Sequence, residues 1–246
     1  MWHHDQGRSG THRVAEDDRS PFGADLRKYY RICFRSESPL LGQRLRLWIT
    51  HFGLHCVAVY RFDRFARRLA TRLGWLGAPI ALVASVLGHA MELVHHVRIY
   101  GDIGPGFYIG HAGMIFVGPA SIGRNFSLTH GVTIGFGHTE GGQGYPSIGD
   151  DVWVGTGSVL SGAIRVGNGA TIANGTMLSR SVPDRALIAG NPGRVVLQGY
   201  ENGRLLGALD SGIATSNAEV APQCGAESTP ARTTGALDSS RSRQAS

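Results

Sequence analysis

Cysteine is scarce and unpatterned in this chain. Its 246 residues contain three, Cys33, Cys56 and Cys224, an odd number at wide spacing. That excludes a disulfide framework and a zinc-finger arrangement, and no metal is expected. The first residues are polar, so no secretory signal sequence is read there, and a cytoplasmic location is the expectation. A Ser or Cys nucleophile elbow is missing, which removes hydrolase-type covalent catalysis. Both ends also lack apolar periodicity. Residues 1–22 and the run 199–246 are too polar to offset the entropy of ordering. They are expected to be disordered, leaving one folded region from about 23 to 198.

Positive charge is in excess, +6 with His neutral, and much of it lies between Arg27 and Arg72. Solvated helix faces are the bland explanation. Attraction to anionic lipid or to a phosphate-bearing ligand is the sharper one. Nucleic acid is not an expected partner. The one long apolar stretch is 75–94, "WLGAPIALVASVLGHAMELV". It approaches the length of a bilayer span, but Pro79, its interior glycines, His89 and Glu92 weaken that reading. A buried or membrane-surface helix fits better, with peripheral contact at the inner membrane as the consequence.

Two periods divide the folded region. Over 23–98 the spacing is helical. Leu41, Leu45, Trp48 and Phe52 make one apolar stripe, and Phe62, Phe65, Leu69 and Leu73 make another. Gly74 and Pro79 punctuate the chain before the next helix, so three or four short helices are expected. Over 99–198 the period becomes six. The chain parses as IGPGFY, IGHAGM, IFVGPAS, IGRNFS, LTHGVT, IGFGHTEGGQGYPS, IGDDVW, VGTGSV, LSGAIR, VGNGAT, IANGTM, LSRSV. Each block opens on Ile, Leu or Val. Strands repeat at two and helices at 3.6, so neither yields a glycine-rich six. A parallel β-helix does: a short strand buries its leading aliphatic, then turns a corner where small residues fit. Twelve blocks make about four coils. The extra residue in IFVGPAS reads as a corner bulge, and the long block 134–147, with His138, as a projecting loop.

This register makes a prediction about two histidines. His111 and His130 are each third in their block, on the same face of consecutive coils, so they should stack about one strand spacing apart. Thr156 and Asn174 continue the column. A lone histidine on an apolar face is usually packing; a stacked pair points to a site. Imidazole is the natural general base for taking a proton from a hydroxyl.

The segments "IGPGFYIGHAGMIFVG", the loop ending "GYPSIG" and the closing "VPDRALIAGNPGRVV" resemble the bacterial serine O-acetyltransferases of the hexapeptide-repeat acyltransferase superfamily, over about 97–198. The resemblance implies a left-handed winding, acetyl-CoA as co-substrate, a small hydroxyl acceptor, and His111 as general base with His130 beside it. It implies a CoA groove near Gly137, Gly155 and Ala173, and a homotrimer with sites between subunits. Three positions depart from the family. His96 stands where the partner acid is, Gly110 replaces the acid before the catalytic histidine, and Tyr145 replaces a second loop histidine. The resemblance favours acetyl transfer to serine for cysteine biosynthesis. Acetyl transfer to a saccharide or its precursor is the alternative, and an inactive β-helix scaffold is the third reading.

Overall fold

Ser20 and Pro21 open the first helix. The Ser20 hydroxyl accepts from the Gly23 amide at 3.0 Å, and Pro21 supplies a preset first-turn φ. The computed structural model describes residues 20–139 and 142–208. Helix α1 (Pro21–Phe34) therefore begins inside the stretch expected to be unstructured, while residues 1–19 lie outside the described residues. Helices α2 (Leu41–Thr50) and α3 (Phe52–Leu73) come next, then a 3-10 turn (Gly74–Gly77) and α4 (Ala78–His95).

The helical spacing is borne out, and the structure shows that much of the two stripes faces outward. Leu41 and Leu45 are 81% and 61% exposed, and Phe65 and Leu73 are exposed as well. The reason is what α1 and α3 pack against. They cap the open end of a solenoid, whose first turn presents backbone N–H and C=O groups with no preceding turn to pair them, the usual liability of a sheet edge. Polar side chains meet them. Lys28, the only lysine in the sequence, is fully buried and donates to the carbonyls of Gly106 (3.0 Å), Asn125 (2.8 Å) and Phe126 (3.2 Å). Burial pulls its pKa well below 10.5, partly opposed by the carboxylates of Asp151 and Asp25. Arg61 grips buried Asp25 at 2.7 and 3.0 Å and donates to the Ile103 and Gly104 carbonyls, both at 2.7 Å. Asp25 in turn accepts from the Phe107 amide at 2.7 Å; burial raises its carboxyl pKa, and the contacts with Arg61 and the Phe107 amide oppose the rise. The Tyr29 and Tyr60 hydroxyls each bridge an N–H and a C=O of the same turn. Gly53 completes the fit, since a Cβ there would overlap the Ile109 carbonyl. Lys28 and Arg61 are thus not on solvated faces.

The solenoid is built turn by turn. The first turn is β1 (Val97–Ile99), β2 (Asp102–Ile103) and β3 (Tyr108–Ile109). The second is β4 (Ile115–Val117), β5 (Ser121–Ile122) and β6 (Ser127–Leu128). The third opens with β7 (Thr133–Gly135), detours through β8 (Gly137–Thr139) and β9 (Gly142–Gly144), and resumes with β10 (Ser147–Ile148) and β11 (Trp153–Val154). The fourth is β12 (Val159–Ser161), β13 (Arg165–Val166) and β14 (Thr171–Ile172). The fifth has β15 (Met177–Leu178), a bridge at Val182 and β16 (Ala186–Ala189). Parallel pairing stacks them into three faces: β1-β4-β7-β12-β15, β2-β5-β10-β13 and β3-β6-β11-β14-β16. The expected coils are present and extend to five turns, because β1 precedes the first full block and β16 lies beyond the last. All twelve leading aliphatics, from Ile103 to Leu178, are buried. At about 2 kcal/mol for each such side chain removed from water, they hold the turns together.

The long block does project, as an antiparallel ribbon of β8 on β9. At its base the Tyr145 ring rests on Gly118 of the turn below and meets Phe136 at 5.5 Å between centroids.

At the far end β17 (Arg194–Gln198) closes the third face by antiparallel pairing with β16. The chain does not become featureless after Gln198. Residues 199–208 run back down one corner: the Tyr200 amide donates to the Arg185 carbonyl (2.8 Å), and Asn202 Nδ2 donates to the carbonyls of Gly169 (3.2 Å) and Asp151 (2.9 Å). Leu206 is buried and Gly207 lies against Ile32 of α1. Corner carbonyls needing donors are what order this polar segment. The rest of the expected disordered tail, 209–246, lies outside the described residues.

Candidate active site

Strand register places the two histidines. Ile109 of β3 pairs with Leu128 of β6, so residues two steps later leave the third face at the same corner. There His111 and His130 stack with ring centroids 6.0 Å apart and planes at 74°, edge toward face. Both are exposed, so they are not satisfied core residues. The column continues as the register requires. The Asn174 side-chain oxygen accepts from the Thr156 amide at 3.0 Å, and the Thr156 hydroxyl lies 2.9 Å from that of Thr129. Sequence reasoning missed Thr129, although its place after Leu128 carried the signal.

One step before this column run Gly110, Thr129, Gly155 and Ala173. Gly155 and Ala173 therefore share the corner of the histidines. A Cβ at Gly155 would overlap Asn174, so glycine there is also a packing requirement. The Ala173 carbonyl accepts from the hydroxyls of Ser158 (2.9 Å) and Thr176 (2.7 Å). Gly137 is placed elsewhere. It opens the ribbon at the corner between the first and second faces, against Ser161 and Gly162. One chain thus brings together His111, His130, Gly155 and Ala173, and puts Gly137, Phe136 and Tyr145 on a different edge of the prism.

Two residues near His111 in sequence, Asp102 and the departing His96, have clear surroundings. Asp102 lies on the second face and takes a 2.6 Å hydrogen bond from Arg64. His96 ends α4 with φ 52° and its carbonyl accepts from the Ile115 amide at 2.9 Å. Among the described residues no carboxylate is hydrogen-bonded to His111 or His130, and no group of three or more metal-ligating side chains is assembled. An exposed imidazole pair beside a glycine-lined corner can take a proton from a hydroxyl and admit an extended ligand close to the backbone.

Known proteins resemble this chain in sequence and fold. Residues 145–180 match the bacterial transferase hexapeptide (six repeats) family. The serine acetyltransferase of Bacillus pumilus is 30% identical over 166 residues, covering 66% of this chain and 72% of that one. The serine acetyltransferase of Mycobacterium tuberculosis is 29% identical over 167 residues, covering 67% and 69%. Among solved structures, soybean serine acetyltransferase complexed with serine is 32% identical with a TM-score of 0.54, over 70% of this chain and 67% of that one. A serine acetyltransferase in complex with CoA is 25% identical with a TM-score of 0.56, over 72% and 68%. The fold held in common is the left-handed parallel β-helix.

Proposed function

The chain belongs to the serine acetyltransferase family, and from that membership we propose that it transfers an acetyl group from acetyl-CoA to the hydroxyl of L-serine, releasing O-acetylserine and CoA. The observation that carries the reading within this molecule is the stacked, exposed pair His111 and His130. Acetyl-CoA, as second substrate, supplies the acetyl group as a thioester. His111 takes the proton as the serine oxygen attacks the thioester carbonyl, and returns it to the departing sulfur. The new C–O bond replaces the C–S bond, with no covalent enzyme adduct and no net proton change. His130 lies edge against face with His111 and limits how that ring can turn. Gly155 and Ala173 flank the same corner, where small residues let a ligand approach the backbone.

The ribbon rises from another edge of the same prism, so it does not roof its own histidines. A homotrimer resolves this: the ribbon of a neighbour, with Gly137, Phe136 and Tyr145, covers the His111 corner. Closed cyclic symmetry repeats one such contact three times.

One observation favours a second acceptor. Gly110 precedes His111, and no carboxylate is hydrogen-bonded to either ring among the described residues. A serine ammonium calls for such a partner; a neutral sugar hydroxyl does not. Release of free CoA from acetyl-CoA, measured with L-serine and with a saccharide panel, separates the two. Serine is expected to support turnover; turnover with a saccharide and none with serine overturns the serine assignment while keeping the chemistry.

A further inference from the structure

The helical cap carries an apolar surface that the β-helix does not use. One face of α4 packs on α3: Ala84 is buried, and Gly77 touches Ala70. The opposite face is open. Trp75, Leu76, Leu82, Val83, Val86, Leu87, Leu93 and Val94 are all exposed, Trp75 at 83% and Leu93 at 80%. At 100° per residue the six of these on α4, from Leu82 to Val94, fall on one side of the helix as a single stripe without a charged residue, and Trp75 and Leu76 of the preceding 3-10 turn extend it. At its far end the stripe continues onto exposed Phe52, whose ring meets His95 at 5.0 Å. Phe52–His95 contains a stretch long and apolar enough to cross a bilayer, and only 11% of that stretch is buried.

We propose that α4 lies in the plane of an anionic lipid surface, its stripe sunk into the acyl boundary and its α3 face turned to the protein. Charge complementarity selects lipid. Arg68 and Arg72 are exposed on the last turns of α3, seven and three residues before exposed Trp75. Guanidinium groups next to an exposed indole and an aliphatic stripe match phosphate headgroups over hydrocarbon. A spanning helix is ruled against by the other face of α4. The cleft it forms with α3 and β1, about 310 Å³, is lined by Asp63, Arg64, Arg67, Glu92 and Arg98. Crossing the bilayer would drag these charges into hydrocarbon; lying flat leaves them in water. With 18 residues, α4 offers about 27 Å of contact length.

Flotation of the full chain with phosphatidylcholine vesicles, with and without phosphatidylglycerol, tests this. Binding is expected on the anionic vesicles and is expected to weaken with salt. Arg68→Gln with Arg72→Gln should lower partitioning roughly 30-fold. Leu82→Glu with Val86→Glu should abolish it at an unchanged melting temperature, since both side chains are more than half exposed. Trp75 emission should shift to the blue on binding, a shift that Trp75→Phe loses. Absence of flotation on anionic vesicles overturns the proposal, as does flotation indifferent to Leu82→Glu with Val86→Glu. If the wild type does not float and that double variant lowers the particle mass in light scattering, a second copy of the chain covers the stripe instead. None of these readouts involves acetyl transfer, so they stand or fall apart from the assigned reaction.

Discussion

General-base catalysis asks for an imidazole that solvent and substrate can both reach, and His111 meets that condition at a corner rather than in the core. His111→Ala is expected to lower kcat by roughly a hundredfold or more while leaving the urea unfolding midpoint in place, because the side chain is exposed. Steady-state release of CoA checks it, and a variant keeping most of its turnover rules out His111 as the base. Lys28 is the opposite case, a charged residue whose work is structural. Lys28→Met removes the donor to the carbonyls of Gly106, Asn125 and Phe126. The Phe126 carbonyl still accepts from the Tyr108 amide, but leaving the Gly106 and Asn125 carbonyls without the Lys28 donor should cost about 3 kcal/mol. Urea titration measures it; an unchanged midpoint would show that the first two turns satisfy these carbonyls in another way.

At the scale of elements, the segment after β17 decides where the fold ends. Asn202 and Gly207 join the third and fourth turns of the solenoid to α1 through contacts with Asp151, Gly169 and Ile32. A chain ending at Gln198 is expected to lose about 1–3 kcal/mol relative to one ending at Ala208, from the lost hydrogen bonds and the exposed Leu206 pocket. Comparing the two melting temperatures is the check, and equal values would make residues 199–208 dispensable. A polar, aperiodic run signals disorder only when nothing needs its donors. Here the corner carbonyls do, which composition could not reveal.

At the scale of the whole molecule, the separation of the histidine corner from the ribbon corner matters most. If neighbouring copies complete one another's sites, size exclusion with light scattering should give a mass near three times the 26.3 kDa subunit. Mixing a His111→Ala subunit with a ribbon-deleted subunit should restore part of the lost turnover. A fully active monomer would remove both the assembly and the shared site.

The hexapeptide register was legible in the sequence alone, and with it the parallel β-helix, the buried twelve, the projecting ribbon and the stacking of His111 on His130. Such a repeat leaves little freedom: each block must bury its aliphatic and turn within six residues, so position in the block fixes the face. The helical cap was different. Its period was visible, but period says only that a helix has a stripe, not what the stripe meets. The tertiary structure turned Lys28, Tyr29, Tyr60 and Arg61 toward the solenoid because backbone groups at its open end needed them. That choice left the aliphatic faces of α2 and α4 outward. The placement of Gly137 away from Gly155 and Ala173 was likewise settled by which corner the ribbon leaves, a property of how three faces close.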